Sequence, residues 1–401
     1  MSGALADVRV LEFAWAVAGP ATTRPFAQHG ATVVKVETSN RLDGTRAMGP
    51  FRDKPGRNRS GYYALYNHGK LSVTLNLHHP RGHDVVRRLV RWADVVNENF
   101  SAGQMERWGL GYEDLAKIKP EIIMLRSSMQ GQSGPHAQHR AAGMQLQGLV
   151  GLTHLTGWPD RAPSATSTPY TDVVGPWFGA VAILAAIDQR DRTGQGQCID
   201  LSQYEASLQV IAPAIMEYAA TGREPTRRGN RSLSMAPHGV YRCDGDDEWC
   251  AIAVRDDDDW RRMRRAMDAP GWTDEARFAT SEGRLAAADE LDRLVESWTV
   301  PRSAEEVMTT LQSAGVPAGA VRSCAGLFED PQLAHRAHFV PLEHPVLGPF
   351  MCDAPAFRLS RTPADLGPAA AMGMHNEHVY KTVLGMPDDE YESLHSSGVF
   401  D

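Results

Sequence analysis

Asp172 is the residue of this sequence whose type and surroundings best suit covalent chemistry. It stands directly before a long apolar run, VVGPWFGAVAILAAI, within residues 168–187. Aspartate is a favoured N-cap, since its carboxylate accepts hydrogen bonds from the free N–H groups in the first turn of a helix. Gly175 would let a ligand approach the backbone closely, and Pro176 is tolerated only in a first turn. The spacing alone leaves two alternatives, a helix cap and a carboxylate nucleophile.

Familiar catalytic motifs are missing elsewhere in the sequence. The turn AWAVAGPATT has one glycine where the dinucleotide fingerprint GxGxxG has three, although Glu37 at the end of the next strand resembles a ribose acceptor. The P-loop, zincin and nucleophile-elbow motifs are also missing, which removes the usual anchors of NTPases, zinc proteases and serine hydrolases. The pairs His78–His79 and His136/His139 have no carboxylate set nearby, so we interpret them as surface histidines and predict no metal site.

Composition argues against several broad classes of partner. The chain has 401 residues, of which 42% are hydrophobic and 22% charged, and its net charge is −8. This acidic balance argues against a broad nucleic-acid surface, which needs a basic face. No apolar run reaches the roughly 18 residues of a membrane span, the start MSGALADVRVLEF lacks the pattern of a secretory signal, and the five cysteines form no CxxC pair. We therefore expect a cytoplasmic protein that binds neither nucleic acid nor a membrane.

The elements that would position such a nucleophile follow a βαβ rhythm. Short β-rich runs alternate with helix signals, which predicts a parallel sheet with helices packed on it. The predicted strands are residues 8–14, 31–37, 71–77, 94–100 and 121–129. The chain then becomes mainly helical, and one long predicted helix ends near Gly194. The expected fold class is therefore α/β, with a large Rossmann-like domain.

A second, smaller domain is predicted beyond the helical region. Gly222–Gly239 is basic and interrupted by Pro and Gly, as linkers are. A hairpin around Gly245, a helix that starts in the acidic run Asp256–Asp259, and a helix and strand over Ser303–Val321 follow it. We assign residues 225–325 to this α+β domain, and residues 1–224 and 326–401 to the large domain.

Several stretches, taken in order, carry a resemblance to a known family. They are VRVLEFAWAVAGPATTRPFAQHGATVVKVE, DGTRAMGP, YNHGKLSVTLNL, ADVVNENFSAGQMERWGLGYEDL, RTGQGQCIDLSQYEA, APHGVYRCDGDDEW and LGMPDDEYESLHSSGVF. Together they resemble the class III CoA-transferases, the CaiB/BaiF family that includes formyl-CoA transferase and carnitine CoA-transferase. The resemblance spans essentially the whole chain in register. It implies an interlocked homodimer, in which each chain threads through a ring formed by the other.

The resemblance also implies a role for Asp172. The family's nucleophile is an aspartate just before the helix that precedes RTGQGQ, and Asp172 matches it. The implied activity moves CoA from an acyl-CoA thioester to a carboxylic acid through an aspartyl anhydride and an aspartyl-CoA thioester. Because the energy of the thioester is conserved, the reaction needs no ATP, no metal and no permanently bound cofactor. Gly131, in the loop Ser127–Pro135, is a candidate substrate contact, since backbone N–H groups must stabilise each oxyanion.

The family's CoA contacts carry over to the first half of the chain. They map to Trp15, Val17, Ala18, Leu75, Asn99, Phe100, Arg107 and Arg140, with Lys70 as a further candidate. Arg107 and Arg140 would neutralise CoA phosphates, although either alone could form a surface salt bridge. One departure is Thr38, which stands where the family has a CoA-contacting arginine. Another is RGNRSLSMAPHG, which replaces a glycine run of formyl-CoA transferase and argues against formate and oxalate as substrates.

Two alternatives to CoA transfer stay open. The related α-methylacyl-CoA racemase uses a His and an Asp as acid and base, but Met144 stands at the position of that histidine and cannot transfer a proton. A non-catalytic CoA-binding protein is the other alternative. The sequence also leaves open the identity of the acids between which CoA is exchanged. Arg46, in the Arg- and aromatic-rich segment Thr45–Asn67, is a candidate for holding the second carboxylate of a diacid. A solvent-exposed loop is the alternative for that segment.

Overall fold

The computed structural model describes residues 3–140 and 142–401, so the predicted first residue of the large domain lies outside them. Two compact units are present. The larger unit consists of the chain up to Thr153 together with Ala165–Arg223 and Gln332–Asp401. The smaller unit consists of His154–Ser164 and Glu224–Pro331. The smaller unit thus includes a short segment that the sequence analysis placed in the large domain.

The strands of the described residues form three sheets. They are β1 (Arg9–Phe13), β2 (Thr32–Glu37), β3 (Leu71–Thr74), β4 (Val95–Glu98), β5 (Ile123–Ser128), β6 (Cys198–Ser202), β7 (His238–Arg242), β8 (Trp249–Ala253), β9 (Ala318–Ala320), β10 (Phe339–His344) and β11 (Gly348–Asp353).

The larger unit is built on a six-stranded sheet with the order β3-β2-β1-β4-β5-β6. All neighbouring strands in it are parallel, and Leu11 of β1 pairs with Val34 of β2 and Val96 of β4. These strands are rich in Val, Ile and Leu because helices cover both faces of a parallel sheet. The order is that of doubly wound proteins, with its reversal between β1 and β4. The predicted α/β fold with a parallel sheet is confirmed.

The described residues form the following α-helices. They are α1 (Ala18–Gln28), α2 (Gly61–Asn67), α3 (Gly82–Trp92), α4 (Gln104–Arg107), α5 (Tyr112–Ile118), α6 (Gly143–Leu149), α7 (Leu152–Leu155), α8 (Thr171–Thr193), α9 (Gln203–Leu208), α10 (Ala212–Thr221), α11 (Asp257–Ala266), α12 (Ser281–Ala286), α13 (Ala288–Thr299), α14 (Ala304–Ser313), α15 (Cys324–Glu329), α16 (Pro331–His335) and α17 (Asp388–Ser396).

Both faces of the six-stranded sheet are covered. On one face, α1 and α8 contribute Phe26 and Ile183 to an apolar cluster that includes Val10 of β1. On the other face, Leu89 of α3 and Tyr380 of the C-terminal segment belong to a second apolar cluster. The end of the chain therefore completes the core of the larger unit.

The smaller unit has an antiparallel sheet with the order β7-β8-β9. Its core includes Trp260, Phe278 and Val307. The side chain of Asp256 accepts a hydrogen bond of 2.7 Å from the N–H of Asp259, so it caps α11 at the start of the acidic run. The hairpin expected around Gly245 is formed by β7 and β8.

The helix α8 is long enough, and apolar enough by hydropathy, to cross a bilayer. Core helices of globular proteins meet the same criteria. Gly175, Gly179 and Ile183 are among its buried residues, and Ile183 belongs to the core on the sheet. We therefore interpret α8 as a core helix whose remaining surface is apolar.

Candidate functional site

A cavity of about 580 Å³ opens at the carboxyl ends of β1 to β4. Ligands of doubly wound sheets bind outside this edge, near the point where the strand order reverses. Residues that follow each strand line it: Trp15 after β1, Thr38 after β2, Leu75 after β3 and Phe100 after β4. The topology of the sheet thus brings together positions that are distant in the sequence.

Five of the predicted CoA contacts line this cavity, namely Trp15, Leu75, Phe100, Arg107 and Arg140. The other predicted positions do not line it. Val17 and Ala18 are buried at the start of α1, where they pack inside the larger unit. The structure therefore collects a subset of the predicted residues around one cavity, and contact of that subset with CoA stays a prediction.

Aromatic rings form one wall of the cavity. The Phe100 ring meets Trp15 edge-on at 5.6 Å and Trp108 edge-on at 5.1 Å, measured between ring centroids. The guanidinium of Arg41 lies 5.3 Å from the Trp15 ring. Flat apolar faces beside a cation suit a planar heteroaromatic base. The sequence analysis missed both Trp108 and Arg41.

Asn99 positions this wall and is not itself part of the lining. Its side-chain oxygen accepts a hydrogen bond of 2.8 Å from the Trp15 N–H, and its amide group donates one of 2.8 Å to the Trp15 carbonyl. Ala16 has a φ of 60°, which is unfavourable for a residue with a Cβ. Its N–H donates to Asp43 Oδ1 at 3.0 Å. Two side chains from other segments thus hold the turn after β1.

The cavity carries an excess of positive charge. Arg41, Arg107 and Arg140 all line it, and Arg107 donates a hydrogen bond of 2.6 Å to the side chain of Gln104. Charge-assisted bonds from arginines are well suited to phosphate groups. Arg41 stands three residues beyond Thr38, the position where the family arginine is missing. An arginine in the loop after β2 was the signal that could have identified it.

Lys70 does not reach the cavity. Its ammonium is buried, 3.1 Å from both carboxylate oxygens of Glu12 and 2.8 Å from the Pro20 carbonyl. Burial lowers the pKa of Lys70 to about 8, and the charge of Glu12 limits that decrease. The structure therefore does not support the predicted contact between Lys70 and CoA, because the Lys70 ammonium is already paired with the Glu12 carboxylate inside the protein.

Arg46 is likewise unavailable to a substrate. It is buried and forms two hydrogen bonds of 2.7 Å with the carboxylate of Glu37. Its guanidinium also donates to Asn58 Oδ1 at 2.9 Å and lies 3.6 Å from the Tyr63 ring. The predicted role in holding a substrate carboxylate is not supported, since Glu37 already occupies the guanidinium. The same pair excludes Glu37 as a free ribose acceptor.

Asp172 lies in the first turn of α8, but it is not the helix cap. The N-cap is Tyr170, and no side chain provides a cap hydrogen bond. Among residues 3–140 and 142–401, none donates a hydrogen bond to the half-buried Asp172 carboxylate. Burial raises the pKa of Asp172 to about 6. A position in the first turn of a helix generally favours an ionised carboxylate.

Gly143, at the start of α6, makes room for the Asp172 carboxylate. A Cβ at Gly143 would lie 2.8 Å from Asp172 Oδ2 and 2.4 Å from the Pro169 Cβ. Both distances are shorter than real contacts allow. Glycine is therefore required at 143 by close packing, a requirement that depends on contacts between α6 and α8. The sequence analysis did not identify it.

Tyr66, on α2, lies within electrostatic reach of Asp172. Burial raises the pKa of Tyr66 to about 12, and Tyr62 and Asp172 add to this increase. The Tyr62 and Tyr66 rings meet edge-on at 5.4 Å. The Tyr66 hydroxyl is therefore neutral at physiological pH and is able to donate a hydrogen bond. The end of the segment Thr45–Asn67 therefore lies near Asp172.

Gly131 lies in the loop after β5, with a φ of 85° that favours glycine. Its nearest neighbours are the side chains of Asp200 and Ser202. The next N–H, that of Gln132, donates to Asp200 Oδ1 at 3.0 Å. That N–H is therefore already engaged, and the loop gains no support as an oxyanion site.

Met144 follows Gly143 in the first turn of α6. Its sulfur lies 3.6 Å from the side-chain nitrogen of Gln147. A thioether has no proton to give or take, so no acid–base partner for Asp172 stands at this position. The structure thus adds no support to the racemase alternative.

Comparison with known proteins identifies the family. The profile of CoA-transferase family III matches residues 5–376. A succinyl-CoA–D-citramalate CoA-transferase of Chloroflexus aurantiacus is 34% identical over 398 residues, covering 98% of each chain. A succinate–glutarate CoA-transferase of Agrobacterium fabrum is 34% identical over 343 residues, covering 84% of this chain and 85% of that protein.

Structural comparison agrees with the sequence matches. The crystal structure of a CaiB/BaiF family protein from Brucella suis superposes with a TM-score of 0.88 at 30% identity, covering 96% of this chain and 100% of the other. The family profile, the relatives and this structure each span most of the chain. The protein therefore belongs to CoA-transferase family III, and the names of its relatives support transferase activity.

Proposed function

We propose that this protein transfers CoA from succinyl-CoA, or a closely similar dicarboxylic acyl-CoA, to a second small dicarboxylic acid, with Asp172 as the nucleophile. The observation that carries the proposal is the Asp172 carboxylate, half-buried beside Gly143 and without a hydrogen-bond donor among the described side chains. The names of the relatives support the substrate class, since they pair succinyl-CoA with D-citramalate and succinate with glutarate.

The proposed reaction begins when a carboxylate oxygen of Asp172 attacks the thioester carbonyl carbon. The C–S bond breaks, CoA leaves as its thiolate, and Asp172 and the acyl group form a mixed anhydride. The thiolate then attacks the aspartyl carbonyl carbon, which releases the donor acid and leaves an aspartyl-CoA thioester. The acceptor carboxylate attacks this thioester, and the same steps run in reverse. Covalent catalysis thus divides one difficult exchange into easier ones.

The environment of Asp172 suits this role. With a pKa of about 6, its carboxylate is mostly ionised at neutral pH and is more basic than that of an ordinary aspartate. Perturbed carboxylates of this kind are common at functional sites. No cation is paired with it that would have to be displaced before attack, at least among the residues that the structure describes.

The cavity at the ends of β1 to β4 is the proposed CoA site. Trp15 and Phe100 would hold the adenine and pantetheine portion, and Arg107 and Arg140 the phosphates. Arg41 joins them in place of the arginine missing at Thr38. Asn99 acts in this proposal as a positioning residue for Trp15. In this proposal CoA is a substrate, and it leaves the protein after each turnover.

We also propose that the protein is a homodimer. The outer face of α8 exposes Trp177, Phe178 and Val181, and α10 exposes Met216 and Tyr218. Exposed large apolar side chains on two helices of the same unit are typical of a protein–protein interface. Light scattering coupled to size-exclusion chromatography tests this directly, since a monomer at micromolar concentration would contradict the proposal.

Trapping of the covalent intermediate tests the nucleophile. We expect hydroxylamine, added with succinyl-CoA to the purified enzyme, to convert Asp172 to a hydroxamate that mass spectrometry of the Asp172 peptide detects. Enzyme treated with hydroxylamine alone is the control. An unmodified Asp172 in enzyme that turns over succinyl-CoA would exclude it as the acyl carrier.

A panel of acceptor acids tests the substrate class. With succinyl-CoA as donor, we expect new acyl-CoA from citramalate, glutarate or malate and little from formate, oxalate or monocarboxylic acids. Transfer only to monocarboxylic acids would contradict the dicarboxylate proposal while leaving the Asp172 mechanism intact.

A further inference from the structure

His68, Cys352 and Asp353 form a cluster in the larger unit that the proposed reaction does not use. A ring nitrogen of His68, the Cys352 sulfur and a carboxylate oxygen of Asp353 all lie within 4.8 Å of one another. His68 follows α2, whereas Cys352 and Asp353 end β11. The cluster therefore joins the β10–β11 hairpin to the helix layer around α2.

One ring nitrogen of His68 lacks a partner. The residue is 0% exposed, and its Nδ1 is buried with no hydrogen-bond partner among the described atoms. The other nitrogen, Nε2, lies 3.2 Å from the side-chain nitrogen of Gln28. A buried polar atom without a partner is destabilising and rare in folded proteins. Nδ1 of His68 therefore points to a ligand that supplies the missing interaction.

The Cys352 sulfur is also weakly satisfied. It is buried and, within the described part of the chain, it forms no disulfide and has as hydrogen-bond partners only oxygens of Asp353, at 3.8 and 3.9 Å. A neutral imidazole and a thiolate are the forms of these side chains that bind metal ions.

The groups around the cluster resemble the second shell of a metal site. Ligating histidines usually donate a hydrogen bond through their other nitrogen. The side-chain amide of Gln28 lies beside Nε2 of His68, and with the amide turned by 180° its oxygen would accept that bond. Ligating carboxylates are themselves hydrogen-bonded. Arg24 Nη1 lies 3.2 Å from the carboxylate of Asp353. The positive charge of Arg24 opposes cation binding, but a Cys352 thiolate and the Asp353 carboxylate together balance a divalent ion. Asp353, with a side chain 30% exposed, provides access from solvent.

We propose that this cluster is a zinc site, with His68 Nδ1, Cys352 Sγ and an oxygen of Asp353 as ligands and water as the fourth. One nitrogen, one sulfur and one oxygen donor form a set typical of Zn²⁺, and harder ions such as Mg²⁺ avoid thiolates. The ion would anchor the β10–β11 hairpin and takes no part in CoA transfer. No metal site was predicted from the sequence, in which His68 is 284 positions from Cys352.

Cobalt substitution tests the site in the full-length protein. After removal of metals with a chelator, Co²⁺ should bind at one ion per chain with the near-ultraviolet charge-transfer band of a thiolate ligand, and Zn²⁺ should displace it. Because coordination removes the thiol proton, the apparent affinity should rise about tenfold per pH unit near neutrality. Zn²⁺ should also raise the Tm of the wild-type protein.

Matched variants separate this site from adventitious binding. Cys352→Ser should abolish the charge-transfer band and the Tm response, and Asp353→Asn, at a more exposed position, should weaken Co²⁺ binding at least tenfold. The double variant Cys198→Ser/Cys324→Ser, which removes the two exposed cysteines, should bind Co²⁺ as the wild type does. The proposal is overturned by a wild-type protein without the band, or by a band that survives in Cys352→Ser.

Discussion

Two sets of carboxylates in the larger unit differ in their partners. Glu12 and Asp43 are buried with Lys35, at 3.5 and 3.2 Å, and Glu12 also pairs with Lys70. Burial opposes their ionisation, but the lysines and hydrogen bonds hold the pKa of both carboxyls below the ordinary value. Asp172 has no such partner among the described residues, and burial raises its pKa to about 6. A buried carboxylate is thus a candidate nucleophile when it lacks a counter-ion.

The arginines of the same unit show the same contrast. Arg46 is buried, and its guanidinium is saturated by Glu37 and Asn58. Arg41 is exposed on the cavity wall, and the Trp15 ring is its only partner among residues 3–140 and 142–401. Internal pairing therefore distinguishes charges that hold the fold from charges that are available to ligands. Five predictions test this distinction.

The largest expected effect is on catalysis. Asp172→Asn should reduce the rate of CoA transfer at least about 1,000-fold, since an amide cannot form the anhydride. Asp188→Asn, which changes an exposed carboxylate on the same helix, should leave the rate within about twofold. The rate of transfer from succinyl-CoA measures both. Full activity of Asp172→Asn would refute the nucleophile assignment.

A paired carboxylate should matter for stability instead. Glu12→Gln leaves Lys35 and Lys70 buried with one carboxylate fewer, so the free energy of unfolding should fall by about 3–5 kcal/mol. Asp114→Asn, which breaks an exposed pair with Lys117, should cost about 0.5 kcal/mol or less. Urea denaturation compares the two. Equal effects would show that the buried network does not behave as a coupled unit.

The space that Gly143 leaves beside the Asp172 carboxylate should also be required for CoA transfer. Gly143→Ala places a Cβ against the carboxylate and Pro169, and displacement of the nucleophile by about 1 Å should lower the transfer rate roughly 100-fold. Gly148→Ala in the same helix meets no atom within 4 Å and should retain activity. Measurement of kcat for both variants decides the point. A fully active Gly143→Ala would mean that the carboxylate tolerates another position.

The unpaired carboxylate should destabilise the folded state. Because the pKa of Asp172 rises from 3.8 to about 6 on folding, its ionisation opposes folding, with the full penalty above pH about 6 and none below about 4. Asp172→Asn should therefore raise the free energy of unfolding by up to about 2 kcal/mol at pH 8, after allowance for partial exposure. The gain should vanish at acid pH. Denaturation at both pH values tests this, and a loss of stability at pH 8 would contradict the assigned environment.

The smallest expected effect concerns CoA affinity. Arg41→Ala should raise KM for the acyl-CoA about tenfold, the loss of one charge-assisted contact, with little change in kcat. Arg192→Ala, an exposed arginine at the other end of α8, serves as the control. An unchanged KM would remove Arg41 from the proposed phosphate site.

Much of the fold was predictable from local patterns. The strands β1 to β5 lie within the predicted ranges, because runs of Val, Ile and Leu between turn residues are typical of buried parallel strands. The β10–β11 hairpin and α2 were not predicted. Neither sequence has a clear periodic pattern of apolar and polar residues, and packing against distant segments decides their conformation.

The sequence by itself determined the family, the α/β class and the position of Asp172 before a long helix, since these depend on order and spacing along the chain. Only the tertiary structure decided which charges are free. Lys70 is paired with Glu12 across 58 positions, and Gly143 makes room for a carboxylate on another helix. Such pairings arise when the sheet and helices bring distant segments together, and burial then determines whether a charged side chain meets a partner or a ligand.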